Sequence, residues 1–201
     1  MNSEMRLRGS TVSTRIMKTT RDTTNVTFAG LTTSQRLQQI NQWKNAEQSS
    51  QFKGRCEFVE LNEVTANQEQ IESTIVCENQ DWVVHSIVTD ETAFATCLTA
   101  KRRDTQLASL TDAETASLAS ILAKLSTRYD NLMMSDVALD LEWQRNTAQS
   151  SVCAAIIIPR GSEGDGVFGV QRFIGSDFTA EQSARRLRNL SDIHFRDLFP
   201  E

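Results

Sequence analysis

The sequence predicts an α+β fold, a mainly antiparallel sheet with flanking helices. Strand-like segments come in consecutive runs instead of alternating singly with helices. The order reads helix, several strands, helix, several strands, helix, and two of the helices begin with capping boxes. Strands in consecutive runs are usually antiparallel neighbours. With 201 residues the chain can hold one domain with a sizeable core and a loose arm besides.

Residues 1–30 predict a flexible basic arm rich in Ser and Thr, ahead of one domain over 31–201. The first 28 residues carry Arg6, Arg8, Arg15, Lys18 and Arg21 against Glu4 and Asp22. An organelle transit peptide shares that composition, but a plain disordered arm is the reading taken. From Thr33 the pattern turns helical to about residue 50, with Leu37, Ile40 and Trp43 recurring at helical spacing. Strand candidates follow at 56–61, 74–77 and 82–88. The last of these is a near-continuous β-branched run that suits burial on both faces. A further strand is expected over 94–100. The clearest helix is expected over 112–130, where Thr111 and Glu114 form a capping box. Leu118, Ile121, Leu122 and Leu125 then form its apolar stripe. Strands are expected at about 135–143, 151–158 and 166–173, with a Gly-rich turn segment from Pro159 to Gly166. The closing helix has its own box, Thr179 with Gln182, and the stripe Ala184, Leu187 and Leu190.

Composition excludes several classes. Net charge is −5, and the basic clusters Lys101-Arg102-Arg103 and Arg185-Arg186-x-Arg188 are short and diluted by acids. A nucleic-acid partner needs a denser stripe, so none is expected. No apolar run approaches the roughly 18 residues of a membrane-spanning helix. Cys56, Cys77, Cys97 and Cys153 form no Cys-x-x-Cys, and their apolar settings predict buried free thiols in a reducing, cytoplasmic compartment.

Candidate chemistry is sparse. His85 lies inside a Val/Ile-rich strand and reads as a hydrogen-bonded core or edge residue. His194 follows the last helix with no second histidine near it. Zinc needs three or four converging ligands, and this spacing predicts none. The glycines 161, 164 and 166 lack the Lys-Ser/Thr of a P-loop and carry Glu163 and Asp165, which would repel phosphate. Asp140 and Glu142 share one strand face. Such pairs can do acid/base work, but a solvated face is the expectation. Met133-Met134 is explained by packing.

Four pieces of sequence share an order and spacing with a known family. They are Glu78-Asn-Gln-Asp-Trp82, the stretch from Leu110 to Leu132 ending in Leu125-Ser-Thr-Arg-Tyr-Asp-Asn-Leu132, Glu142-Trp143, and Asp177 through Phe195. Together they resemble the C-terminal half of the galactose-1-phosphate (hexose-1-phosphate) uridylyltransferases, over roughly residues 75–196. The resemblance implies one half of a histidine-triad-like pair. It also implies ping-pong uridylyl transfer through a His-Pro-His nucleophile of the first half, and an active site shared between subunits.

The same resemblance marks departures. Where the family has the histidine of a Trp-His pair, this chain has Gln144. Where the family has a His-x-His, it has Ala154 and Ile156. Where the family has a Gly-Tyr-Glu that contacts the nucleotide sugar, it has Gly169-Val170-Gln171. Alanine and isoleucine have no ligand atom, and glutamine is a poor ligand for a transition metal. The expectation is a non-catalytic relative, a pseudoenzyme or interaction module, with no catalytic residue, metal ligand or cofactor assigned. Its expected partner is a second copy or a full-length relative. The alternatives are a nucleotide-sugar-binding protein of galactose metabolism completed by a partner chain, and an eroded gene product.

Overall fold

A computed structural model describes residues 24–26, 31–48, 72–87, 94–103, 105–144, 153–160 and 178–198. Strands β1 (Thr24–Val26), β2 (Ile75–Glu78), β3 (Trp82–Ser86), β4 (Thr96–Ala100), β5 (Ala138–Gln144) and β6 (Ala154–Arg160) form one sheet in the order β1-β5-β6-β4-β3-β2. Every pairing is antiparallel. The helices are α1 (Thr33–Gln48), α2 (Asp112–Met133), α3 (Ala180–Arg188) and α4 (Phe195–Leu198), with a 3-10 turn at Leu107–Ser109. The α+β expectation holds. One part of the arm is corrected: Thr24–Val26 pairs with Leu139–Leu141 as an edge strand. Three polar-flanked residues leave no hydrophobic alternation to detect. The rest of residues 1–30, and the strand candidates at 56–61 and 166–173, lie outside the described residues.

α1 starts one residue earlier in function than in pattern. The Thr32 hydroxyl accepts the Gln35 amide, and the Gln35 side chain accepts the Thr32 amide. Its Ile40 and Trp43 are buried, and Lys44 donates to the Leu110 carbonyl at 2.7 Å, tying the helix to the residues before α2. α2 has the expected box: Thr111 Oγ1 accepts the Glu114 amide and Glu114 returns to the Thr111 amide. Arg102 and then Thr111 hold the Glu114 carboxyl down to about 2, so it stays ionised beside the positive helix N-terminus. α2 ends where Met134 takes φ 53°, a left-handed conformation usually left to Gly or Asn. Met133 is buried and Met134 is exposed, so packing explains the first of the pair and not the second.

β3 alternates buried and half-buried residues, which corrects the expectation of burial on both faces. Trp82 and Val84 face the core with Leu98, Ala155, Ile157, Leu139 and Leu141, against Leu118, Leu122 and Leu125 of α2. β6 is the strand buried on both faces, because Ile156 and Ile158 pack with Ala95 on the opposite side. The hairpin from β2 to β3 explains the Asn-Gln-Asp-Trp run. Asn79 Oδ1 accepts the amides of Asp81 and Trp82, its Nδ2 donates to the Ser117 carbonyl, and Trp82 Nε1 donates to the Glu114 carbonyl. The Lys101-Arg102 cluster is spent locally on Glu78 and Glu114.

Leu122 is fully buried at the centre of this core. Leu122→Ala should cost about 2–5 kcal/mol, from lost transfer free energy and the cavity left behind. Urea unfolding followed by circular dichroism measures it.

Candidate functional site

Two regions hold the residues singled out by sequence: the end of α2, and the sheet face turned away from it. At the end of α2, four consecutive polar side chains are buried, and each reaches a different part of the chain. Arg128 donates from Nη1 to the Val76 carbonyl of β2 and from Nε to Asp192, both at 2.8 Å. Tyr129 donates its hydroxyl to the Phe94 carbonyl at 2.6 Å and lies 3.1 Å from the Thr96 hydroxyl. Asp130 Oδ1 accepts the Val137 amide at 2.7 Å, setting the turn into β5. Asn131 Nδ2 donates to the carbonyls of Ser191 and Ile193. Helical geometry makes this fan-out achievable, because consecutive residues point about 100° apart around the axis.

His194 is the histidine that this corner gathers. Its Nε2 lies 3.5 Å from Asp136 Oδ1 and 3.7 Å from Asp130 Oδ2. Its Nδ1 accepts the Arg196 amide, so the neutral ring carries its proton on Nε2, facing the carboxylates. The pair resembles an Asp–His relay in composition only.

The register across the sheet fixes the second region. Glu142, Ile156, Cys97, His85 and Ile75 lie in one line across five strands. Gln144, Ala154, Thr99, Val83 and Glu78 form the next line. The positions that resemblance assigns to metal histidines are thus neighbours: Gln144 pairs directly with Ala154, and Ile156 follows two residues on. The backbone brings these positions together, but Ala154 and Ile156 are buried hydrocarbon. The residues present do not fit a transition-metal centre. Among the described residues, no group of three or more His, Cys, Asp or Glu side chains could hold a metal ion.

The chemistry left on this face is quiet. His85 Nδ1 lies 3.2 Å from the Thr74 hydroxyl, and burial lowers its pKa, favouring the neutral ring. His85 and His194 belong to separate networks. Cys97 stands opposite His85, but burial pushes its thiol up, and its sulfur contacts Thr99 Oγ1 at 3.7 Å. Nucleophilic sulfur chemistry needs the thiolate. Burial likewise raises Cys77, to about 11. Cys77, Cys97 and Cys153 carry thiols not joined in disulfides, and Cys97 is only half-buried by surface area; Cys56 lies outside the described residues. Asp140 is a correction: it is buried and paired with Arg160, because β5 is an interior strand covered on this side. The glycines 161–166 and Gly169-Val170-Gln171 lie outside the described residues. Sequence reasoning missed the structural duties of Asp130 and Asn131. Their polar identities inside an otherwise apolar helix stripe were the signal.

The family described as the galactose-1-phosphate uridyl transferase C-terminal domain matches residues 41–153. A galactose-1-phosphate uridylyltransferase of Haemophilus influenzae is 27% identical over 141 residues, which are 63% of this chain and 40% of that protein. The chain therefore spans about two fifths of that curated relative. Among solved structures, a uridylyltransferase aligns with TM-score 0.46 and 19% identity, over 60% of this chain and 41% of the other. An ADP-glucose phosphorylase of Arabidopsis thaliana with bound ADP-glucose aligns with TM-score 0.43 and 16% identity, over 79% of this chain and 49% of the other.

Arg128 bonds across the structure through a buried guanidinium, whereas Arg102 makes an exposed pair. Arg128→Met leaves the Val76 carbonyl without a partner and should cost roughly 1–3 kcal/mol. Arg102→Met should cost about 0–1 kcal/mol. Urea titration of the two variants side by side tests the contrast.

Proposed function

The chain belongs to the family of the galactose-1-phosphate uridyl transferase C-terminal domain, and we propose that it is a non-catalytic member, an interaction module that keeps the scaffold and has given up the metal site. The observation that carries this reading is the pair of side chains at Ala154 and Ile156. Resemblance puts metal-binding histidines at those positions, and β6 fills them with hydrocarbon packed into the sheet. A loss by drift at the surface would leave a polar or exposed residue. Here the substitutions add buried apolar area, about 1.5–3 kcal/mol for a side chain the size of Ile156. The position is now part of the fold's stability.

The polar run at the end of α2 supports the same reading. Its side chains are consumed by β2, the Phe94 carbonyl, the turn into β5 and the 191–193 segment. Keeping that run preserves a shape. The partner of such a module is a second copy or a full-length uridylyltransferase of galactose metabolism, and the thiols of Cys77, Cys97 and Cys153 suit a cytoplasmic setting.

Two measurements on the purified chain test this reading. Metal analysis should find no stoichiometric transition metal. Thermal unfolding should not move with UDP-glucose, although a ligand at about a hundredfold over its Kd would add about 2.7 kcal/mol to the native state. The variant carrying Gln144→His, Ala154→His and Ile156→His together should acquire metal binding, because the register already aligns those positions. Stoichiometric metal on the unmodified chain, or a clear rise in Tm with UDP-glucose, would instead establish a nucleotide-sugar-binding protein.

A further inference from the structure

We propose that Asp130, His194 and Asp136 form a proton-operated latch that holds α4 against the end of α2, closed while the cluster keeps a proton on Asp130 and loosened when that proton leaves. The latch is a property of the fold and does not depend on the functional reading above.

The geometry crowds two carboxyls against one histidine. Asp130 is fully buried, and its Oδ1 is committed to the Val137 amide. Its Oδ2 is buried with no hydrogen-bond partner among the described residues; His194 Nε2 lies 3.7 Å away. His194 Nδ1 accepts the Arg196 amide at 3.3 Å, which turns Nε2 toward the two carboxyls. Asp136 adds a second carboxyl 3.5 Å from the same Nε2. The other charges facing the cluster are Arg196, which is paired with Asp136 at 2.8 Å, and Asp197 on the same short helix. Lys124 and Arg128 are taken by Asp192. Arg196 is the permanent cation paired within this cluster, and a neutral Asp130 lessens the crowding of its carboxyls.

The Asp130 carboxyl agrees with this crowding. Burial raises it to about 6, and Asp136 adds to the rise; the Val137 amide, His194 and Arg196 oppose it but are outweighed. The sign follows from linkage. The closed state binds the Asp130 proton more tightly than an open, hydrated state does, where the carboxyl returns to about 3.9. Closure is therefore favoured fully below about pH 4, weakens as pH rises through about 6, and is level above that. Ionised Asp130 regains its balance by letting water reach Oδ2, and α4 is the element that can move. It is four residues long, its side chains bury nothing fully, and its first turn hangs on the His194 carbonyl. The 191–193 segment stays fixed by Arg128 and Asn131, so the hinge falls at His194.

The amides of Asp197 and Leu198 bond to the His194 carbonyl, and because a turn this short is not stable undocked, they report closure. Their hydrogen-exchange protection, corrected for intrinsic rates, should fall at least about tenfold between about pH 4.5 and about pH 7, the change carried by a one-unit pKa difference. In Asp130→Asn, protection should be the same at both pH values. Protection that is independent of pH in the unmodified chain overturns the latch, as does an equal pH-dependent loss in Asp130→Asn. A measurement without substitution guards against a variant that fails to fold. The Asp130 side-chain carboxyl carbon, followed by NMR in the unmodified chain, should finish titrating where the loss of protection levels off; titration in a separate pH range also overturns it.

Discussion

The C-terminal end of α2 is joined to separate parts of the chain by one buried polar run, Arg128-Tyr129-Asp130-Asn131. The guanidinium of Arg128 is its hardest constraint. A cation removed from water must be fully paired, or it costs several kcal/mol. Here Asp192 and the Val76 carbonyl supply the pairing. They lie on opposite sides of α2 in sequence, so the closing segment and β2 must both be in place before the helix end is satisfied. Tyr129 makes the same demand of the residues leading into β4, and Asp130 of those leading into β5. The edge of the sheet benefits as well. The carbonyls of Ile75 and Val76 are taken by Arg188 and Arg128, which blocks the template that a bare edge strand offers to another chain.

On the non-catalytic reading proposed above, this constraint explains how the run stays fixed while Ala154 and Ile156 serve packing. A ligand residue is held by the metal or substrate it binds, and once that is gone it can be replaced by whatever packs best. A residue in a shared buried network has less freedom, because removing one partner strands the others. The sheet shows both outcomes a few residues apart. Asp130 and Asn131 remain polar and fully enclosed, while Ala154 and Ile156 belong to the apolar packing of β6.

The helices were legible because their starts are written locally. Thr111 with Glu114, and Thr179 with Gln182, are short-range statements that the structure repeats atom for atom. The central strands were legible as β-branched runs. β1 was not, since three residues without alternation form a strand only because β5 offers an edge. The burial of Asp140 was hidden for the same reason: its partner Arg160 sits on another strand, twenty residues on. At the candidate site, the resemblance pointed to Gln144, Ala154 and Ile156. It could not tell that Gln144 and Ala154 face each other, because register is decided by pairing across strands and not within one. The two histidines looked alike in sequence and differ in place: His85 rests on Thr74, and His194 stands between two carboxyls.

The central claim is that the polar run makes α2, β2 and the 191–193 segment one cooperative unit. Native-state hydrogen exchange in sub-denaturing urea measures this directly, at a pH near 5. The β2 amides bonded to β3 and the Ile193 amide should open with the same free energy and the same urea dependence as the amides around Leu122. If β2 and Ile193 exchange through separate openings of lower energy and weaker urea dependence, the run is a set of local contacts and does not hold the fold together.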